Sequence, residues 1–289
     1  MGDDCALLRP DAGLDLALTT DTLVEGRHFL PDAEPRSLGH KALAVNLSDL
    51  AAMGATPRWA TLALALPAAE PAWLAEFSSG LYELAERYGV DLVGGDTTRS
   101  PLRTITIAAI GEVPPELALE RGGARAGDDI WVSGELGGAA LGLVHPEIPE
   151  AARRLHAPEP RVELGERLRR LAHAAIDVSD GLAGDLAHIL SRSQLGASVE
   201  YERIPKCAAF KTLRDPELER NCVLSGGDDY ELLFAAPREH RSELESLAAE
   251  LGLALTRIGT IEAGTGLRIL DAKGKPLAHR GGFDHFGGR

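Results

Sequence analysis

Positive charge is what this 289-residue chain has least of: 30 lysines and arginines stand against 44 aspartates and glutamates, a formal net charge of −14. Nucleic acids and anionic membranes are bound through basic surfaces, so neither is expected as a partner. Phosphorylated ligands would have to be held through metal ions. Cysteine is equally sparse. Cys5, Cys207 and Cys222 form neither a zinc-type pairing nor an even disulfide framework, which points to a reducing compartment. There is no run of about twenty apolar residues, and Met1-Gly2-Asp3-Asp4 lacks the basic and apolar stretches of a secretory leader, so a soluble cytoplasmic protein is expected. No Ser-His-Asp or Cys-His arrangement with a recognisable local context is present, which disfavours covalent catalysis.

What is present is aspartate, placed with a pattern. Carboxylates close Asp3-Asp4, Thr19-Thr20-Asp21, Asn46-Leu47-Ser48-Asp49, Gly94-Gly95-Asp96, Asp177-Val178-Ser179-Asp180 and Gly226-Gly227-Asp228-Asp229, most of them after an apolar run that reads as a strand. One such aspartate is a turn former or a helix cap. Several, delivered by different strands and a helix, point to one polyanionic site. Two unit charges 4 Å apart interact by about 4 kcal/mol at an effective dielectric near 20, so the set requires cations. Oxygen ligands without a histidine or cysteine cluster favour a hard divalent ion, Mg²⁺ before Zn²⁺.

The 44% hydrophobic content and the length accommodate two cored domains. Alternation at Leu14, Leu16 and Leu18, the run Thr61 to Leu66 and the β-branched run Thr104 to Ile110 predict strands. Leu38, Leu43, Leu47 and Leu50 up to Gly54, and Trp73 to Leu84 up to Gly89, predict amphipathic helices, the first with Asn46 and Asp49 on one face. A strand at Asp129–Ser133 runs into a glycine-rich segment, where the domain boundary is placed: 1–134 and 135–289. Beyond it the pattern predicts helices through Leu164, Leu168 and Leu171, through Leu182, Leu186 and Ile189, and from Ser242 to Leu251. Strands are predicted at Tyr230–Phe234 and near Leu267–Leu270. The fold class is therefore α/β (α+β) in both halves.

Several motifs admit two readings. Asp180 before Gly181-Leu182 either caps the following helix or serves the site; Asp177 has no capping role. Gly94-Gly95-Asp96-Thr97-Thr98-Arg99 is either a tight turn or a place where backbone comes close to a phosphate. Gly134 to Gly142 lacks the Gly-Lys-Ser/Thr ending of a P-loop and reads better as close helix packing. Arg121 is either an anion clamp or a solvated surface charge, and His28 either a ligand or a packed histidine.

These segments, in this order, resemble the thiamine-monophosphate kinase family of the aminoimidazole ribonucleotide synthetase-like superfamily. The resemblance rests on Gly2 to Leu8, Thr20 to Val24 with His28-Phe29, Lys41 to Gly54, Gly94 to Thr98, Asp177 to Leu182, Ser225 to Leu232 and Asp284-His285-Phe286. It implies a two-domain fold whose amino-terminal mixed sheet, 1–134, binds ATP and metals and joins a second copy in a dimer barrel, while an α/β domain, 135–289, completes the site. It implies ATP-dependent phosphorylation of thiamine monophosphate to thiamine diphosphate in a homodimer. Asp4, Thr19, Thr20, Asp21, Asp49, Asp96, Asp177 and Asp180 would hold several Mg²⁺ ions. Gly95, Asp96, Arg121 and Ser179 would contact ATP; His28, Asp228 and Phe283 would contact the acceptor. The chain departs from the family in three places: no helix and glycine-rich lead precede Asp3-Asp4, Asp228 stands where glutamate is general, and Phe283 where tyrosine or tryptophan is common. The rival readings are another ATP-using member of the superfamily, a catalytically silent nucleotide-binding protein, and a two-metal phosphatase.

Overall fold

The computed structural model describes residues 5–279. The chain first builds β1 (Asp15–Val24), α1 (Pro35–Ala52), β2 (Thr56–Leu66), α2 (Pro71–Tyr88), β3 (Asp91–Arg99) and β4 (Thr104–Val113). These strands form a four-stranded mixed sheet in the order β1-β4-β2-β3, antiparallel except for the parallel β2–β3 pair. Leu23, Leu64, Ile105, Ile107 and Ala109 point to the side covered by α1 and α2 and are buried. The other face is open: Leu16 and Leu18 on β1 are 51% and 69% exposed.

Helix α1 starts where Glu34 accepts from the Arg36 and Ser37 amides, with Pro35 in the first turn, a position that needs no donor. Most of its residues are buried, Lys41 and Asn46 among them, so α1 is not the amphipathic helix expected but one covered on most sides by α2, the first sheet and elements of the second half. It crosses α2 at backbone contact distance: a Cβ on Gly39 would lie 2.0 Å from the Phe77 carbonyl oxygen, and one on Gly80 1.8 Å from that of Arg36. Only glycine allows this approach.

The chain passes to a second sheet between Val113 and Asp129. There follow β5 (Asp129–Ser133), α3 (Gly138–Val144), α4 (Pro149–His156), α5 (Val162–Leu168), β6 (Ala174–Asp177), α6 (Leu182–Ser193), β7 (Gly196–Glu200), α7 (Phe210–Leu213), α8 (Pro216–Ser225), β8 (Leu232–Ala236), α9 (Arg241–Leu251), β9 (Leu255–Glu262) and β10 (Gly266–Leu270). The six-stranded sheet runs β10-β7-β9-β5-β8-β6. Every residue of β5, β6 and β8 is buried, as expected of strands covered on both faces. The mixed α/β class read from the periodicities is the class observed. Gly134, the expected boundary residue, follows the last residue of β5, inside the second layer.

Two local readings change. The glycines before Asp96 are not a turn but part of edge strand β3, where Gly95 has φ of 153° and a Cβ would meet the Leu62 carbonyl oxygen at 1.9 Å. The expected strand at Tyr230 begins at Leu232, because Asp228 and Tyr230 take left-handed φ values of 61° and 50°.

Candidate active site

Three elements from distant parts of the chain deliver carboxylates to one place. β1 supplies Asp21, α1 supplies Asp49, and the end of β6 with the turn after it supplies Asp177 and Asp180. They line a cavity of about 880 Å³, together with Thr20, His28, Ser179 and Asp228. Hydroxyls hold two of the acids, and a backbone amide anchors the strand at a third. The Thr19 hydroxyl donates to Asp49 Oδ2, the Ser48 hydroxyl to Asp177 Oδ2 at 2.6 Å, and the Asp21 amide to Asn46 Oδ1 at 3.1 Å. Asn46, Ser48 and Asp49 come from one stretch of α1, so this helix frames the acidic wall.

Burial and mutual repulsion leave these carboxyls short of compensation. Burial first, and Asp49 second, push Asp21 up to about 6. Burial, then Asp49, push Asp177 up to about 8 against the lowering effect of Ser48. Asp49 is raised by burial, while the Thr19 hydrogen bond and the charge of Arg121 pull it back. Asp185, on the first turn of α6, is raised by burial to about 7 and accepts the Asp180 amide at 3.1 Å.

Such a donor set fits a hard divalent cation: all oxygen, partly dehydrated and electrostatically unsatisfied. It is not a collapsed cage. Among the described residues, the trio whose ligand atoms lie within 4.8 Å of one another is Glu135, Glu150 and Cys207, where Arg154 already pairs with both carboxylates. The cavity aspartates are spread more widely, a spacing suited to ions that keep water and substrate oxygens in their shells.

Among the described residues, Gly95, Asp96 and Arg121 do not line this cavity. Asp4 and Phe283 are outside the described residues. Gly95 and Asp96 sit exposed on β3, the edge of the sheet opposite to β1. With β4 and β2 between, that is three strand spacings, or about 14 Å, from Asp21 within one chain. Arg121 is exposed, yet near enough to act on Asp49. His28 accepts the Val24 amide on Nδ1 at 3.0 Å, which fixes its ring at the cavity wall.

Sequence reasoning passed over Lys41, Tyr230 and Asp185. Lys41 donates to Asp228 Oδ2 at 2.8 Å and Tyr230 to Asp228 Oδ1 at 2.9 Å. A lysine inside an otherwise apolar helical run was the available signal. Its partner, 187 positions away, gave none.

Comparison with known proteins agrees in both halves. The family model of the AIR synthase related protein N-terminal domain matches residues 2–113, and that of the C-terminal domain residues 125–271. Thiamine-monophosphate kinase of Escherichia coli strain K12 is 44% identical over 297 residues, covering 99% of this chain and 91% of its own length. A crystal structure of thiamine-monophosphate kinase from Stenotrophomonas maltophilia K279a, 46% identical, superposes with a TM-score of 0.90 over 96% of this chain and 90% of that one. A structure described as AaThiL complexed with AMPPCP and TMP is 32% identical, with a TM-score of 0.84 over 99% and 92% of the two chains.

Proposed function

The chain belongs to the thiamine-monophosphate kinase family of AIR-synthase-related proteins, and from this we infer that it transfers the γ-phosphoryl group of ATP to the phosphate of thiamine monophosphate, giving ADP and thiamine diphosphate. The observation that carries the reading is the wall of half-buried Asp21 and Asp49 and buried Asp177, without an ion pair to a fixed cation among the described residues, facing one cavity with Asp228 and His28. Donor and acceptor are both phosphorylated and repel each other. Positioning and charge neutralisation therefore dominate such a reaction.

Mg²⁺, when bound, would neutralise the phosphate oxygens of donor and acceptor and set the reacting groups in line. Asp21, Asp49, Asp177 and Asp180, with Thr19 and Thr20, are the residues on β1, α1 and the β6 turn that would hold it; Asp4 and Asp96 extend the set. The chain's own groups do the rest. Gly95, Arg121 and Ser179 orient ATP, with the Arg121 guanidinium matched to phosphate oxygens. His28, Asp228 and Phe283 hold the thiamine portion. No general base is assigned, because a phosphate acceptor is already ionised near neutral pH.

In this reading the protein works as a homodimer. Strands β1 and β3 are the edges of the first sheet, each paired with one neighbour in the chain, and Leu16 and Leu18 expose an apolar face. Pairing β1 of one copy with β3 of another closes the two sheets into a barrel and brings the partner's Asp96 beside Asp21. Residues 1–134 then form the nucleotide, metal and dimer unit, and 135–289 complete the pocket. Three free cysteines suit a cytoplasmic location. No helix among the described residues is long and apolar enough to cross a membrane.

Incubation of the protein with ATP, Mg²⁺ and thiamine monophosphate tests the reading. ADP and thiamine diphosphate should accumulate in equal amounts. ADP formed equally without the acceptor would mark a hydrolase instead.

A further inference from the structure

Asp228 is a carboxylate of the cavity held at both ends. Both of its oxygens are engaged by the chain itself, Oδ2 by the Lys41 ammonium at 2.8 Å and Oδ1 by the Tyr230 hydroxyl at 2.9 Å. The lysine side chain is 5% exposed and that of Asp228 36%. A cation is thus withdrawn from water to meet a carboxylate that still faces the cavity, at a desolvation cost that only a well-made pair offsets.

The backbone is committed to the same end. Asp228 and Tyr230 adopt φ of 61° and 50°, a region costly to residues with a Cβ. Two hydrogen bonds to the turn after β6 enforce it: the Asp228 amide to the Ser179 carbonyl at 2.9 Å, and the Tyr230 amide to that of Val178, also at 2.9 Å. The chain that carries Ser179 to the cavity therefore also sets the direction of Asp228. Left-handed strain, a buried ammonium and a phenol hydroxyl all converge on one side chain.

We propose that Lys41, supported by Tyr230, is a positioning residue that fixes the Asp228 carboxylate at the acceptor end of the cavity and so selects an acceptor with a cationic or amino-bearing ring. The proposal rests on the function inferred above and adds to it a residue and a basis for specificity. An ionised carboxylate offers about four lone-pair directions. Lys41 and Tyr230 take two, which leaves others on a side chain that is 36% exposed and lines the same cavity as Leu143, Leu155 and His28. A thiazolium cation or an aminopyrimidine complements that remainder; a bare phosphate does not. Without Asp228 the Lys41 charge would repel the same ring.

The test uses the full chain with Lys41→Met, Tyr230→Phe, Asp228→Asn and the Lys41→Met/Asp228→Asn double variant. Steady-state kinetics are run with each substrate varied in turn, and binding of thiamine monophosphate and of thiamine is measured by calorimetry. Lys41→Met is expected to raise KM for thiamine monophosphate about tenfold and to leave KM for ATP within about twofold. Tyr230→Phe should act in the same direction but less, and it carries the test if Lys41→Met fails to fold. Because Lys41 acts through Asp228, the double variant should be no worse than Asp228→Asn alone. Equal rises in both KM values, or additive effects in the double variant, would overturn the proposal. Wild-type protein that makes no thiamine diphosphate would sink the kinase reading instead. The calorimetry would still decide the role of Lys41, since unchanged binding of thiamine monophosphate and thiamine to Lys41→Met would refute it.

Discussion

Two groups of buried acids in this molecule are treated in opposite ways. Behind the second sheet, Glu231 receives both Nε and Nη2 of Arg161, at 2.7 and 2.5 Å, and Asp129 receives Arg241 at 2.5 and 2.8 Å with Arg257 at 3.4 Å. These are planar fork contacts that leave little charge over. In the cavity, Asp49 and Asp177 accept from hydroxyls, Asp49 feels Arg121 only as a charge, and Asp21 meets Asp49 as a repelling neighbour. Asp129 is accordingly held below the ordinary carboxylate range: burial raises it, but Arg241 and Arg257 prevail. Asp21 and Asp177 are pushed above that range. The contrast separates carboxylates that complete the fold from carboxylates kept ready for something that binds.

The strongest way to break this comparison is Asp177→Asn. Turnover should fall about 10²–10³-fold, while the melting temperature holds or rises, because a desolvated acid has been replaced by an amide. Unfolding of the variant would instead place Asp177 with the structural group. The converse change, Arg161→Met, leaves Glu231 buried without its partner. It should cost about 3 kcal/mol in denaturant unfolding; a loss below about 1 kcal/mol would mean that the fork is dispensable.

Proton linkage sharpens the contrast. Asp21, Asp185 and Asp177 have folded values of about 6, 7 and 8, above the ordinary aspartate value, so the folded state holds protons that the unfolded chain releases. Their contribution is fully present below about pH 4 and is lost as pH rises through 6 to 8. Without divalent ions, stability should therefore fall steadily between pH 5 and 8, by about 1.4 kcal/mol per pH unit for each of these groups still protonated only in the folded state. Saturating Mg²⁺ should flatten that slope, and calorimetric scans with and without it read the difference. Identical slopes would argue against cation binding by this set. The smallest expected effect is that of Thr19→Val, which removes the hydroxyl donor to Asp49. The Mg²⁺ concentration needed for half-maximal activity should rise by roughly threefold to tenfold.

The sequence was legible where a pattern is local. α2 and β4 show in apolar spacing because each presents one face to the core, β1 because Leu16 and Leu18 line the open face of its sheet, and α1 because its leucines recur at helical spacing although most of its residues are buried. The aspartates stood out as a set, and the turn after β6 could be located from Asp177 and Asp180 alone. Strand β3 was hidden because glycines normally weaken a strand; here Gly95 is required by the approach to Leu62. β7 and β9, which pair from Gly196 with Glu262 to Val199 with Gly259, carried too little apolar alternation to be read. The roles of Lys41 and Asp185 depend on partners set by tertiary packing, and no local rule encodes them. Likewise the distance between Asp96 and Asp21 is a matter of strand order, invisible in two motifs that look alike.

The glycine contact between α1 and α2 bears on how this pocket tolerates change. Lys41, Val45 and Asp49 lie at four-residue intervals along α1 and all border the cavity. The seat of that row against α2 is therefore set by a clearance between backbones. A single methyl at Gly39 would wedge the two rods apart and carry the whole row of functional groups with it, like a shim under a vice jaw. Catalysis in this protein is thus hostage to a position that contributes no chemical group at all.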